Sequence, residues 1–356
     1  MFEPQEERCP ECDALAPAQA GVSRRKFIKA VGGTAVTLSA LQAVPDTSTL
    51  ARAQQPAAQQ PAANAKPAEA LVRELFSGLT DEQRRQVVFP FNDGANGNTP
   101  AKRLRFYNAA QGRRIGDVYT QAQQELVRRI LRAIASDDDG MEKLTRNGTF
   151  DGSHSLQGCG ADIFGDPTGN QQFCWLFTGH HLTVRCDGNS EPDAAFGGPM
   201  YYGHSPDGYS VRNCFNYQTQ AVRGLWDALS GDQRTRALLN VTPQEPGELL
   251  PSVRFRDQHP GLPVRDLTAD QRALVQTVMR TILNPYRRED ADEAMDLLRR
   301  NGGLEQIYLA FYRDPGENDP RRWHFWRLEG PGFVWNYRVL PHVHTYVNIA
   351  AAPARS

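Results

Sequence analysis

Two stretches of the chain alternate apolar and polar residues, and they correspond to each other. Phe173 to Val184 reads Phe-Cys-Trp-Leu-Phe-Thr-Gly-His-His-Leu-Thr-Val, and His324 to Trp335 reads His-Phe-Trp-Arg-Leu-Glu-Gly-Pro-Gly-Phe-Val-Trp. Period-two alternation predicts half-buried strands. Trp175 pairs with Trp326 and Gly179 with Gly330, each at the same separation of 151 positions. The first stretch predicts a strand running from Phe173 to Cys186. The second belongs to a series of strands predicted at Ile307–Tyr312, Trp323–Glu329, Phe333–Val339 and His344–Ile349.

Helical spacing dominates elsewhere. Leu71, Val72, Leu75 and Phe76 share one face of a helix beginning near Glu69, and Leu126, Ile130, Leu131 and Ile134 share one face of Gln121–Ala135. Thr80 with Gln83 three residues on is a capping box that starts another helix. Four more are predicted at Gln218–Leu229, Asp232–Leu239, Ala269–Leu283 and Asp290–Asn301. Gly148 to Cys174 reads as loop, and Cys186 to Tyr217 as a long irregular stretch. Asp137-Asp138-Asp139-Gly140 reads as a solvated turn, because the rest of a calcium-loop pattern is absent.

The correspondence extends beyond the strands. Leu79-Thr80-Asp81-Glu82-Gln83-Arg84 is echoed by Leu229-Ser230-Gly231-Asp232-Gln233-Arg234, and Leu144-Thr145-Arg146-Asn147-Gly148 by Leu298-Arg299-Arg300-Asn301-Gly302. Gln124-Glu125-Leu126-Val127 has a counterpart at Gln271-Arg272-Ala273-Leu274-Val275. Blocks in the same order imply a tandem duplication. The expected fold is α+β: two pseudo-symmetric units of helices followed by antiparallel strands, residues 69–217 and 218–349, packed through their strands, with a tail at 350–356.

Ser23-Arg24-Arg25-Lys26-Phe27-Ile28-Lys29, followed by a mild apolar run and then Ala51-Arg52-Ala53, reads as a twin-arginine export signal over residues 1–53. The apolar run is too short and too rich in Gly, Ser and Thr to predict a membrane span. Residues 54–68, almost entirely Ala, Gln and Pro, read as a disordered linker. The expected partner of the leader is the twin-arginine export machinery, and the expected destination is the periplasm or the extracellular space. Cys9-Pro10-Glu11-Cys12 lies upstream and leaves with the leader. A net charge of −1 gives no footprint for nucleic acid.

Four cysteines follow the leader: Cys159, Cys174, Cys186 and Cys214. An even number in an exported domain points to two disulfides, with three pairings open. Histidine is the more telling residue. Five of the eight lie in or just after the paired strands: His180, His181, His324, His342 and His344. On Pro341-His342-Val343-His344-Thr345-Tyr346-Val347-Asn348-Ile349, alternation puts His342, His344, Tyr346 and Asn348 on one face. Two imidazoles so placed can converge on one copper, zinc or iron ion. Within a continuous strand His181 shares the polar face with Thr183 and Arg185, which makes it the better third ligand, with His180 on the aliphatic face. His204, in a Gly-rich loop, is within reach of the same site, and Glu329 is a candidate fourth ligand or general base. The alternative for each histidine is a packed residue hydrogen-bonded to backbone, and for Glu329 a rim carboxylate paired with Arg327 or Arg338. No nucleophile elbow, HExxH helix, phosphate loop or dinucleotide fingerprint is present.

Trp175-x-Phe177-x-Gly179-His180-His181-Leu182, then Tyr201-Tyr202-Gly203-His204-Ser205-Pro206, then Leu328-Glu329-Gly330-Pro331-x-Phe333-Val334-Trp335 and His342-Val343-His344-Thr345 resemble the bacterial family DUF3500. Gly261-Leu262-Pro263-Val264-Arg265-Asp266-Leu267-Thr268 also resembles it. The resemblance spans Leu71 to Ile349. It implies export and no particular reaction. The chain departs from the family pattern at Thr178 and after His344. Two functions follow as expectations: an exported metal-dependent oxidoreductase or hydrolase acting on a small molecule, or a non-catalytic metal- or ligand-binding envelope protein.

Overall fold

Four hydroxyl side chains start four helices in the same way. Thr80, Thr120, Ser230 and Thr268 each accept a hydrogen bond from the backbone N–H of a glutamine three residues on, and each glutamine Oε1 accepts in return from the cap's own N–H. Each such box satisfies two of the amides that a helix start leaves unpaired. In this computed structural model, which describes residues 67–240, 255, 258–313 and 322–352, the four boxes pair off. The Gln83 and Gln123 side chains exchange amide hydrogen bonds of 2.7 and 3.1 Å, and Gln233 and Gln271 exchange bonds of 3.0 and 2.8 Å.

Those boxes open α2 (Asp81–Val87), α4 (Gln121–Ile134), α7 (Gly231–Ala237) and α8 (Ala269–Leu283), while α1 (Ala68–Ser77), α3 (Ile115–Val118), α5 (Asp138–Thr145), α6 (Asn216–Ala228) and α9 (Arg288–Arg300) complete the α-helices of the described residues. The buried faces follow the 3.6-residue spacing. In α4, Val127 is fully buried with Ile130, Leu131 and Ile134, and Leu126 is only half-buried. The sequence reading of Asp137–Gly140 as a turn is corrected. Asp137 caps α5 by accepting the Gly140 N–H at 2.8 Å, and the acidic residues after it lie in the first turn, where the helix dipole favours them.

The strands form one mixed sheet. In chain order they are β1 (Val88–Phe89), β2 (Gly160–Gly165), β3 (Phe173–Gly179), β4 (Leu182–Cys186), β5 (Met200–His204), β6 (Leu238–Leu239), β7 (Leu262–Pro263), β8 (Tyr308–Arg313), β9 (Trp323–Gly330), β10 (Phe333–Arg338) and β11 (Val343–Ile349). Across the sheet the order is β1-β2-β3-β4-β5-β11-β10-β9-β8-β6, with β7 also on β8. The order reads the same from either edge once each strand is matched to its partner: short parallel pairs β1–β2 and β6–β8 outside, antiparallel ladders inside, and the β5–β11 seam in the middle. The architecture is α+β with a large mixed sheet.

Two strands were hidden within segments read as loop. β2 lies inside Gly148–Cys174 and β5 inside Cys186–Tyr217, both too apolar throughout or too short to alternate. The expected continuous strand from Phe173 to Cys186 is instead a hairpin. β3 and β4 pair through Gly179 and Leu182, and His180 and His181 make the two-residue turn. The first residues of the chain's tail are held: Ala351 N–H donates to Asp193 O at 2.7 Å and Ala352 N–H to Asn301 Oδ1 at 2.9 Å. The twin-arginine signal lies outside the described residues, as does all but the end of the linker.

One sheet face packs on the helices through Trp175, Phe177, Trp326, Leu328, Trp335 and Tyr337, all fully buried. The other, outer face mixes polar residues with three small apolar clusters, built on Phe164 and Leu176, on Tyr201 and Tyr346, and on Tyr312 and Phe325. Over the first half it is strapped by the segment before α3: the Tyr107 N–H donates to Thr183 Oγ1, and the Gln111 N–H to Thr178 Oγ1, at 3.0 and 2.8 Å. The expected disulfides are absent: Cys159, Cys174, Cys186 and Cys214 are free. Topology explains part of this. Cys174 packs on the outer face with Phe164 and Leu176, whereas Cys186 belongs to the helix-side core, so the sheet itself separates them. Cys159 lies at the other end of β3, beside Gly179.

Candidate metal centre

The hairpin turn and the β5–β11 seam bring three histidines together. His181 occupies the second turn position with φ +58°, a left-handed conformation that costs a non-glycine residue about 1–2 kcal/mol. Its backbone N–H donates to Asn108 Oδ1 at 2.9 Å, and the Tyr201 hydroxyl donates to the same oxygen at 3.0 Å. His344 lies on β11 opposite Gly203, where a side chain on β5 would collide with it: an added Cβ would stand 3.2 Å from His344 Cδ2 and 2.3 Å from Val343 O. His342 precedes the strand by one residue.

The ring nitrogens converge. His342 Nε2 is 3.1 Å from His181 Nε2 and 2.8 Å from His344 Nε2, and all three residues are buried. Three imidazoles binding one ion at about 2.0–2.1 Å place their nitrogens about 2.9–3.3 Å apart, for angles between 90° and tetrahedral. The observed spacing suits that arrangement.

The orientation of His181 is set by a carboxylate. Asp151 Oδ2 lies 2.7 Å from His181 Nδ1, and Asp151 Oδ1 lies 2.9 Å from His204 Nδ1. Arg146 Nε adds its charge at 3.4 Å from Oδ2. Burial pushes the Asp151 carboxyl up, but the hydrogen bonds from His181 and His204 and the Arg146 guanidinium outweigh it and hold it well below the usual carboxylate range. Burial depresses His181 and His344 well below the ordinary imidazole value, with the Arg338 charge adding to the effect at His344. A neutral His181 facing an ionised Asp151 donates through Nδ1–H, which leaves Nε2 as a lone pair aimed at the other two rings. A carboxylate behind a histidine is the usual support of a metal-binding imidazole. On the opposite ring, the Tyr346 hydroxyl lies 3.1 Å from His344 Nδ1.

The loop that supplies Asp151 is conformationally costly. Arg146, Asn147, Phe150, Asp151 and His154 all have positive φ, so that among the described residues six of the eight such non-glycine residues belong to this loop or, as His181, to the hairpin turn. Strain of this kind persists where surrounding structure enforces a functional geometry. Phe150 anchors the loop in the core against Phe177, centroids 5.8 Å apart, and Arg146 Nη2 donates to His180 O at 2.7 Å.

Not all the residues singled out in the sequence meet here. His180 stacks on His181 with centroids 3.9 Å apart, but its Nδ1 accepts the Gly152 N–H at 2.9 Å. Its Nε2 is buried without a partner, and burial lowers its pKa to about 4. It is not one of the three converging rings, but one of its ring nitrogens lies within 4.8 Å of ligand atoms of Asp151 and His181, a second group that could hold an ion. His204 reaches the site only through Asp151. Glu329 shares the sheet face but lies opposite Val334 and pairs with Arg327, Nε to Oε1 at 3.5 Å. That is one strand over and four residues along from Arg338, about 13 Å down the strand. Two residues close to the rings carry no sign of this role in the sequence. Asp151 lies in a stretch that reads as loop, where a lone Asp carries no signal. Arg338 reads only as a partner for Glu329. Its Nη2 lies 2.9 Å from His344 Nε2 and 3.2 Å from His342 Nε2, a contact legible only from the β10–β11 register.

No helix among the described residues is long and apolar enough to cross a membrane. Comparison with curated proteins and with solved structures gave no significant match. The family model described as "Protein of unknown function (DUF3500)" matches residues 61–350. That span is most of the chain, and the protein belongs to the DUF3500 family.

Proposed function

We propose that this protein is a metal-dependent enzyme whose ion is held by His181, His342 and His344, at the seam between the two halves of the sheet. The observation that carries the reading is the convergence of three Nε2 atoms, one of them oriented by an ionised carboxylate. Neutral imidazoles suit zinc, copper or iron. Three protein ligands leave coordination positions open, the arrangement of a catalytic site and not of a closed structural one. With a redox metal the chemistry is that of an oxidoreductase. With zinc it is hydrolysis by an acidified water. X-ray absorption at the metal edge tests this: three imidazole nitrogens at about 2.0–2.1 Å are expected, and a shell without imidazole scattering would overturn it.

A second reading has its own observation. The Arg338 guanidinium within 2.9 and 3.2 Å of two ring nitrogens can satisfy their lone pairs without an ion. That favours a non-catalytic ligand-binding protein of the envelope, and the same absorption experiment separates the two.

Two further proposals concern the chain as a whole. The halves arose by tandem duplication, which is supported by the palindromic strand order and by the paired capping boxes. Arg84 and Arg234 support it too: each lies over an aromatic ring of the preceding helix, Phe76 and Trp226, and donates to its last carbonyls. The protein acts in the periplasm or outside the cell, a reading supported by the twin-arginine pattern at Ser23–Lys29.

A further inference from the structure

The sheet face that carries His344 continues past the three rings as a row of buried polar side chains. On β10, Arg338 stands opposite His344 and Asn336 opposite Tyr346; on β9, Arg327 stands opposite Asn336. Arg338, Asn336 and Arg327 are 3, 3 and 6% exposed. Burying guanidinium groups costs several kcal/mol each before any partner is counted, and apolar side chains of similar size would pack such a face at less cost. Part of that cost is met within the chain, where Arg327 pairs with Glu329 and Arg338 Nε donates to His342 O at 3.3 Å, so the case for a ligand rests on what the row leaves unmet. Asn336 gives the clearest indication, because its Oδ1 is buried and accepts no hydrogen bond. An orphaned acceptor costs about 1–3 kcal/mol, which an N–H or O–H brought in by a ligand would recover. At the other end of the row Arg338 points a charged donor at the site where the three imidazoles meet.

We propose that this face is the substrate subsite of the centre and that it takes a small organic anion. The carboxylate lies against Arg338 beside the imidazoles, and a hydroxyl or amino group further along the molecule donates to Asn336 Oδ1. Successive residues on one face of a strand are about 6.6 Å apart, so the donor group belongs a few bonds from the carboxylate and not on the adjacent carbon. A guanidinium recognises a carboxylate through its planar fork, which makes Arg338 the anchor, and the buried acceptor makes Asn336 the residue that selects. The inference rests on the metal-centre reading, and its test keeps the two apart.

The protein is loaded with cobalt(II), cobalt content is measured, and the visible spectrum is titrated with butyrate, 4-hydroxybutyrate and inorganic phosphate. Both carboxylates are expected to shift the spectrum, with 4-hydroxybutyrate at least tenfold tighter than butyrate. Asn336→Leu brings the two within about twofold at unchanged cobalt stoichiometry, and Arg338→Gln weakens both at least tenfold. The comparison of the two carboxylates on the unaltered protein needs no variant to fold. If cobalt binds through imidazole and no carboxylate moves the spectrum, or phosphate alone does, the subsite assignment is overturned while the metal centre stands. If cobalt does not bind, the centre fails first and the subsite with it.

Discussion

Asp151 and His181, thirty residues apart in the chain, meet at 2.7 Å. The contact joins a strained loop to a strained turn, and it decides which nitrogen of His181 faces the other two rings. Removing a carboxylate from behind a metal-binding histidine typically lowers metal affinity 10- to 100-fold. Asp151→Ala is expected to do so here. Asp151→Asn, which still accepts from Nδ1–H, should lose less. Competition against a chromogenic chelator measures both, and equal affinity for Asp151→Ala and the parent would remove the carboxylate from the account.

The two pairs of capping boxes give a stability prediction. Thr120→Ala and Thr268→Ala each remove a side-chain acceptor from a helix start, at a cost of about 1 kcal/mol. The sites belong to separate glutamine pairs, so the double variant should lose the sum within about 0.5 kcal/mol. Urea unfolding provides the comparison. A cost confined to one half would show that the matching caps do not carry matching energies.

Asp162 on β2 is buried with both carboxyl oxygens unpaired, and burial pushes its pKa up to about 8 against a small opposing pull from Lys102. In the unfolded chain it titrates near 3.9. Between those values the folded state holds a proton that the unfolded chain releases, so its contribution to stability falls as pH rises from about 4 to about 8, by at most about 1.4 kcal/mol per unit. Asp162→Asn removes this slope. The stability gained by the variant over the parent should therefore grow between pH 5 and pH 8, and a gain that stays flat over that range contradicts the assignment.

Cys159, Cys174, Cys186 and Cys214 are expected to be thiols in the native protein. Alkylation under denaturing conditions without reductant, read by mass spectrometry, should label all four. Any pair that labels only after reduction would mean a disulfide that this arrangement of the chain does not contain.

The legible parts of the fold were those in which one short-range signal decides the outcome. Thr80 with Gln83, and the spacing of Leu71, Val72, Leu75 and Phe76, place helices because caps and amphipathic faces are local. The alternation after Pro341 likewise put His344 and Tyr346 on one face. β2 and β5 were missed because a strand buried on both faces does not alternate, and Gly160–Gly165 is buried almost throughout. The hairpin at His180 and His181 was missed because neither residue is a usual turn former, and the left-handed φ at His181 is imposed by partners distant in sequence. The same reason hid Asp151 and Arg338, since their roles come from register and loop closure and not from residue type. Histidine enrichment located the site, but it could not tell the three converging rings from His180, which accepts a backbone amide instead.

Metal stoichiometry of the purified protein, measured by mass spectrometry of the elements alongside a folded His342→Ala/His344→Ala variant, bears most directly on the central claim. Close to one transition-metal ion per chain is expected in the parent, and a small fraction of that in the variant. A folded parent with no stoichiometric metal, or a variant that keeps its full complement, would contradict a centre built on His181, His342 and His344.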